Sequence, residues 1–409
     1  MKKILLTATI LLLSIVIYSQ TEAQLITKAN SGDVESQYML GLRYYNGEKA
    51  EQDFNKAYKW LKKAADQDYT KAQYYLALCY EYGLGTRSNI LKAIEYATLA
   101  SKKDYADAQI FLAHCYEEGK GVTQDYAKAF ELFKKATTTD NPEAQYFLAI
   151  CYYYGEGVSI NYPEAFTWFY KAAQGGIIEA QYAIAGCYES GTGTEQNFDN
   201  AFKWYKIAAD ANYAEAQYKI GKLYKDGKGT KKDIKKALKY FSLADKQNIP
   251  SAQYNIAVCY LNGDGVKANM NKAYTFFSKA AMNNHPNAQF NLAVCYEGGY
   301  GTNKNAKKAF KWFRRAAENN ISDAQFQIAE YYNNGINTSK DTKKALIWYQ
   351  KAAENNHTQS QLKIAIFYYY GKGLKTNYKK AAFWTEKAMK NGSKKAKQFW
   401  KDNNLRKYI

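Results

Sequence analysis

Between Ala72 and Asp107 the apolar residues recur with helical spacing. Ala72, Gln73, Leu76, Ala77 and Tyr80 fall on one stripe of a first helix. Gly83 follows the stripe, where a left-handed residue would stop the helix, and Gly85 comes two residues later. Asn89 then offers a short acceptor side chain to cap the free N–H groups of a second helix. One segment earlier Asp53 takes that place, and the second helix carries Ala57, Trp60, Leu61, Ala64 and Ala65. Small alanines beside large aromatics let neighbouring helices approach and interlock.

This unit recurs. An Ala-Gln or Ser-Gln pair stands at 36–37, 72–73, 108–109, 144–145, 180–181, 216–217, 252–253, 288–289, 324–325 and 360–361, always 36 residues apart. Glycine occupies one phase in all ten copies, from Gly47 to Gly371, and aspartate or asparagine another, from Asp53 to Asn377. Lys49 and Asn337 replace the second glycine in repeats one and nine. Pro142, Pro250 and Pro286 share the start of the first helix, and Pro163 lies in the first turn of a second helix, where a missing N–H costs little. A pair of helices of about 12 residues cannot bury its own stripe, but a stack of pairs can. The pattern predicts an all-α fold, a right-handed α-solenoid of about ten 36-residue helix-turn-helix repeats.

The run Ala-x-x-x-Leu-(Gly/Ala)-x-x-Tyr-x-x-Gly-x-Gly-x-x-x-(Asp/Asn)-x-x-Lys-Ala-x-x-Trp-x-x-x-Ala-Ala resembles the Sel1-like repeat, a relative of the tetratricopeptide repeat. Repeat five carries it as Ala180, Ala185, Tyr188, Gly191, Gly193, Asn197, Ala201, Trp204, Ala208 and Ala209. The resemblance covers about residues 30–390. It implies an adaptor or scaffold that binds other proteins, and it brings over no catalytic residue. Some bacterial members pair two cysteines within each unit. Here Cys79, Cys115, Cys151, Cys187, Cys259 and Cys295 share a single phase. Helices packed about 8–10 Å apart separate these positions, beyond the Cα spacing of about 7 Å that a disulfide tolerates. They read as small buried thiols.

The first residues differ from the repeats. Met1-Lys2-Lys3 is followed by an apolar run from Ile4 to Ile17 and by small residues at Ser19 and Ala23. This is the layout of a secretory signal peptide, too short for a comfortable membrane span. The expected organisation is a signal peptide over 1–23, a repeat array over 24–390 and a basic capping helix over 391–409. The expected location is periplasmic or secreted.

Charge changes the picture more than composition does. The formal net charge of +19 is unevenly distributed. Residues 24–218 hold 19 basic and 25 acidic side chains, whereas residues 219–409 hold 36 and 12. One basic cluster includes Lys231, Lys232, Lys235 and Lys236. Another includes Lys394, Lys395 and Lys397, around Phe399 and Trp400. Such an end suits an anionic envelope polymer, a lipid surface or an acidic protein. The plainer reading is a cap kept soluble by lysines. The compartment argues against nucleic acid.

The stripe beside the core stripe of the first helix is the candidate partner-binding groove. Along the chain it comprises Tyr74, Leu78, Glu81 and Tyr82, then His114, Glu117 and Glu118, then Tyr153 and Tyr154, then Lys222 and Lys225. Tyrosine suits recognition through its large area and polar tip; a solvated helix face is the alternative.

Catalytic chemistry finds little support. Ser360-Gln361-Leu362-Lys363 matches Ser-x-x-Lys, but no Lys-Thr-Gly or Ser-Asp-Asn accompanies it. The Gly-x-Gly pairs follow helices and lack phosphate-loop spacing. Three histidines leave no metal-binding motif. No catalytic residue, metal or cofactor is expected. The expected function is a non-catalytic protein-binding scaffold of the envelope or secreted space. A cell-wall or β-lactam hydrolase and a host-directed effector are the rivals.

Overall fold

The structure is a computed structural model and describes residues 22–48 and 51–408. The expected signal segment lies outside the described residues except for its last two positions, as does Lys49. Among the described residues there are helices and no strands. The fold is an all-α solenoid of helix pairs in which the helices from Glu22–Asn30 to Ile178–Ser190, and those from Ala214–Asp226 to Lys394–Asp402, pack on their sequential neighbours. The chain divides into two compact units, Met1–Trp204 and Tyr205–Ile409.

The first compact unit opens with α1 (Glu22–Asn30). The pairs that follow are α2 (Val34–Asn46) with α3 (Phe54–Asp66), and α4 (Thr70–Tyr82) with α5 (Ile90–Ser101). Next come α6 (Ala106–Glu118) with α7 (Tyr126–Ala136), and α8 (Pro142–Tyr154) with α9 (Tyr162–Gln174). Then α10 (Ile178–Ser190) precedes α11 (Phe198–Asp210), within which the division between the compact units falls.

The second compact unit continues with α12 (Ala214–Asp226) and α13 (Ile234–Lys246), then α14 (Pro250–Asn262) and α15 (Met270–Met282). After these come α16 (Pro286–Gly298) and α17 (Ala306–Glu318), then α18 (Ser322–Asn334) and α19 (Thr342–Glu354). It ends with α20 (Thr358–Tyr370), α21 (Tyr378–Lys390), the short α22 (Lys394–Asp402) and a 3₁₀ turn over Leu405–Tyr408.

The helix ends follow from the residues that recur at them. The capping oxygen of Asp53 accepts the Lys56 N–H at 3.0 Å, and Asn89, Asp125, Asn161, Asn197 and Asp233 cap in the same way. Each cap of this kind contributes about 1 kcal/mol. The first helix of every repeat stops at a left-handed glycine with φ between 65° and 80°. The second glycine serves a close approach: a Cβ at Gly157 would lie 2.0 Å from the carbonyl oxygen of Tyr126.

Two devices were not read from the sequence. Each second helix also ends in a left-handed residue, Asp68, Asp104, Asp140, Gly176, Asn212, Asn248, Asn284, Asn320, Asn356 and Gly392 in turn. In addition, α1 stands at the phase of a second helix, ahead of the first Ala/Ser-Gln pair. Leu25 and Ala29 are fully or almost fully buried and stand one period ahead of Leu61 and Ala65.

The invariant glutamine locks neighbouring pairs. Gln361 is fully buried; its Nε2 donates to the carbonyl of Ala353 at 3.1 Å and its Oε1 accepts from Asn391 Nδ2 at 3.0 Å. Gln325 and Asn355, Gln289 and Asn319, and Gln253 and Asn283 repeat the side-chain rung. In the first compact unit Gln67 and Gln37 form it at 2.7 Å. Lys103, Thr139 and Gly175 occupy the donor phase in the repeats that follow.

The recurring tyrosine is similarly tied. The Tyr80 carbonyl accepts the Asn89 N–H at 2.8 Å, and Lys92 Nζ sits 5.3 Å from its ring centroid. Tyr44 with Lys56, Tyr260 with Lys272 and Tyr368 with Lys380 repeat this cation–π contact. All six cysteines are buried and free, as their shared phase implied. Burial pushes Cys79 and Cys151 up to about 12 and Cys115, Cys187 and Cys295 up to about 11.

Candidate functional site

Side chains on one stripe of a helix meet those on the next parallel helix one repeat later. In the first compact unit α4 and α6 bring together Tyr74, Leu78, Glu81, Tyr82, His114 and Glu118 around a cavity of about 480 Å³. Ile110 and Phe111 add apolar wall, Asp107 and Glu143 add carboxylates, and Lys120 enters from the turn after α6. These last five were missed from the sequence. They lie at phases adjoining the stripe, and Lys120 lies in a turn whose direction the stripe does not give.

The geometry ties the cavity walls firmly. Lys120 Nζ pairs with Glu81 Oε1 at 2.6 Å, and Glu81 keeps only 10% of its side chain exposed. His114 Nδ1 and Glu117 Oε2 are 2.8 Å apart, and the imidazole packs edge-on against Phe147 at 4.4 Å. Glu117 therefore borders the cavity through His114. The Tyr74 ring lies tilted against that of Tyr105 at 5.4 Å, and Asn141 Nδ2 donates to Asp107 Oδ1 at 3.3 Å. Tyr82 stands at the rim with 64% of its surface exposed. Burial, then the carboxylates of Asp107 and Glu143, push the Tyr74 hydroxyl well above the usual tyrosine range. The cavity thus combines apolar side chains with a polar, mainly carboxylate lining.

The remaining candidates lie elsewhere. Tyr153 and Tyr154 belong to α8 and do not line the cavity; Tyr153 packs edge-on against Tyr162 at 5.4 Å while Tyr154 is exposed. In the second compact unit Lys222 is exposed, whereas Lys225 Nζ donates to Asn255 Oδ1 at 3.0 Å. Lys231, Lys232 and Lys235 are exposed. Lys236 is engaged by Asp233 at 3.8 Å and by the Tyr224 ring at 5.4 Å. Lys394, Lys395 and Lys397 are exposed on α22. Phe399 packs against Tyr369 at 5.6 Å and Leu405 is fully buried, so this end is held by its apolar residues.

The Ser-x-x-Lys match has a structural use. Ser360 has no exposed surface, and its hydroxyl donates to His357 Nδ1 at 2.8 Å. The same nitrogen caps α20 by accepting the Ser360 N–H at 3.2 Å, and His357 Nε2 faces Asp323 at 3.4 Å. A serine, a histidine and an aspartate are in line, but the serine is sealed from any substrate. Lys363 is turned away, paired with Glu330 at 2.9 Å. Among the described residues no cluster of three metal-ligating side chains occurs, and no helix is long and apolar enough to cross a membrane.

Comparison with known proteins agrees with this architecture. A protective antigen of uropathogenic Escherichia coli strains, described as displaying an SLR fold, is 28% identical. The match covers 96% of this chain and 91% of that one with a TM-score of 0.67. A Sel1 repeat protein from Oxalobacter formigenes is 26% identical over 75% of this chain and 90% of its own, with a TM-score of 0.58. No curated protein matches. The family model of the Sel1 repeat matches ten consecutive segments, 34–69, 70–105, 106–138, 142–177, 178–213, 214–248, 250–285, 286–321, 322–357 and 358–393. Ten matches in phase with the helix pairs leave one assignment: the chain belongs to the Sel1 repeat family.

Proposed function

We propose that this chain is a non-catalytic scaffold of the periplasm or secreted space that seats a protein segment between α4 and α6. Sel1 repeat proteins are generally protein-interaction scaffolds, which supports the class. The observation that carries the site is the cavity itself, where an exposed tyrosine, a few apolar side chains and several carboxylates converge on one opening. The basic clusters at Lys231, Lys232 and Lys235 and at Lys394, Lys395 and Lys397 provide a second contact, with an anionic envelope polymer, lipid or acidic partner. The apolar run at Ile4–Ile17 supports an exported location, and the protective-antigen relative is in keeping with it.

The test is capture from an envelope extract with the full mature chain at low and high salt. A Leu78→Lys variant, which fills the cavity with a charge, should lose the captured protein. Reversal of Lys231, Lys232 and Lys235 should weaken capture of anionic vesicles while leaving the protein partner bound. Capture that is indifferent to Leu78→Lys would sink the groove reading. Hydrolysis of a β-lactam or of cell-wall fragments that disappears in Ser360→Ala would favour the hydrolase instead.

A further inference from the structure

The cavity between α4 and α6 has a chemical preference. Its walls are Leu78, Ile110 and the rings of Tyr74 and Phe111, while Glu81, Asp107, Glu118 and Glu143 contribute four carboxylates. The single ammonium among its lining residues, Lys120, is paired with Glu81. No ion pair within the described residues engages Asp107, Glu118 or Glu143. A lysine or arginine side chain has the matching form, an apolar stem that covers hydrocarbon and a charged head that seeks carboxylates. Aromatic faces add cation–π attraction. Lys120 shows the mode within the chain: its ammonium reaches 2.6 Å from a carboxylate that is nine-tenths buried in the wall.

We infer that the segment seated between α4 and α6 belongs to a separate, basic partner and inserts a lysine or arginine side chain into this cavity. The stem lies along Leu78, Ile110 and Phe111, and the head meets Glu118 and Glu143 at the rim. This rests on the groove reading above and specifies its occupant. The Asp107 and Glu143 carboxylates also add to burial in raising the Tyr74 hydroxyl above its usual range.

The experiment is a titration of the full mature chain with acetylated, amidated nonapeptides, followed by tyrosine fluorescence. The peptides differ only at a central lysine, arginine, norleucine or glutamate. The lysine and arginine peptides should bind at least about fivefold more tightly than norleucine, and the glutamate peptide should not bind. Charge-assisted hydrogen bonds should account for about a tenfold loss of lysine-peptide affinity in a Glu118→Gln, Glu143→Gln double variant. Both substitutions lie on exposed positions, and an unchanged melting curve shows that the variant folds.

Equal binding of lysine and norleucine peptides, no binding of any peptide, or full affinity in the double variant overturns the inference. So does self-association that is lost both in the double variant and on removal of residues 391–409, because the cation would then come from a second copy. Envelope capture separates this inference from its parent. If Leu78→Lys abolishes capture and the double variant does not, the groove stands and the cationic occupant falls. If capture ignores Leu78→Lys, the groove itself falls.

Discussion

Tyrosine at one phase of every repeat is conspicuous in the sequence, but its work is visible only with its partners. Its carbonyl closes the turn onto the cap residue and its ring receives the lysine of the next helix. Neither contact follows from spacing alone, since each depends on the path of the intervening turn. The cysteines were easier to read, because their shared phase already forbade pairing. Their burial makes them inert as well as free. In the native protein at pH 8 none of the six should react with a thiol reagent within minutes, and all six should react in denaturant. Rapid native labelling would contradict the packing. Glu330 gives a second prediction. Burial alone would push its carboxyl up, but the Tyr349 hydroxyl and the Lys363 ammonium outweigh burial and hold it below the ordinary glutamate value. Its contribution is therefore complete above the unfolded pKa of about 4.3 and is lost as pH falls through the lower folded value. Melting temperatures between pH 7 and pH 3 should fall more steeply for the wild type than for Glu330→Gln.

Helix limits were largely legible, since glycine, proline, aspartate and asparagine recur where the chain must turn. The stop after each second helix was overlooked because aspartate, asparagine and glycine share that phase and no single residue type marks it. Helix α1 escaped because it stands before the first Ala/Ser-Gln pair, although Leu25, Ala29 and Gly32 each lie one period ahead of residues with the same role. The invariant glutamine was visible as a marker but not as a lock, since its partners are backbone carbonyls and a donor 30 residues on. Gln361→Ala should therefore cost about 1–3 kcal/mol, since it removes two hydrogen bonds that typically contribute about 0.5–1.5 kcal/mol each. Denaturant unfolding measures it. A loss below about 0.5 kcal/mol would mean that the rung contributes nothing beyond packing.

The count of ten repeats and the fold class were fixed by an unbroken period. The division at Trp204 and Tyr205 was not, because the period runs through it without any change of spacing. The charge asymmetry was also plain in the sequence, yet the structure redistributes its meaning. Lys225 is tied to Asn255 and the exposed Lys236 is engaged by Asp233 and Tyr224, while Lys231, Lys232, Lys235 and the α22 lysines are exposed. Of the groove candidates, six converge on one cavity and Glu117 borders it, whereas Tyr153, Tyr154, Lys222 and Lys225 are not among its lining residues. Convergence depends on how adjacent first helices pack, which a stripe drawn on one helix does not specify. Hydrogen exchange of the full chain, alone and with its captured envelope partner, addresses the scaffold proposal most directly. Added protection should concentrate in α4 and α6, at Tyr74–Tyr82 and Asp107–Glu118. Protection confined to the second helices, with α4 and α6 exchanging as in the free chain, would contradict it.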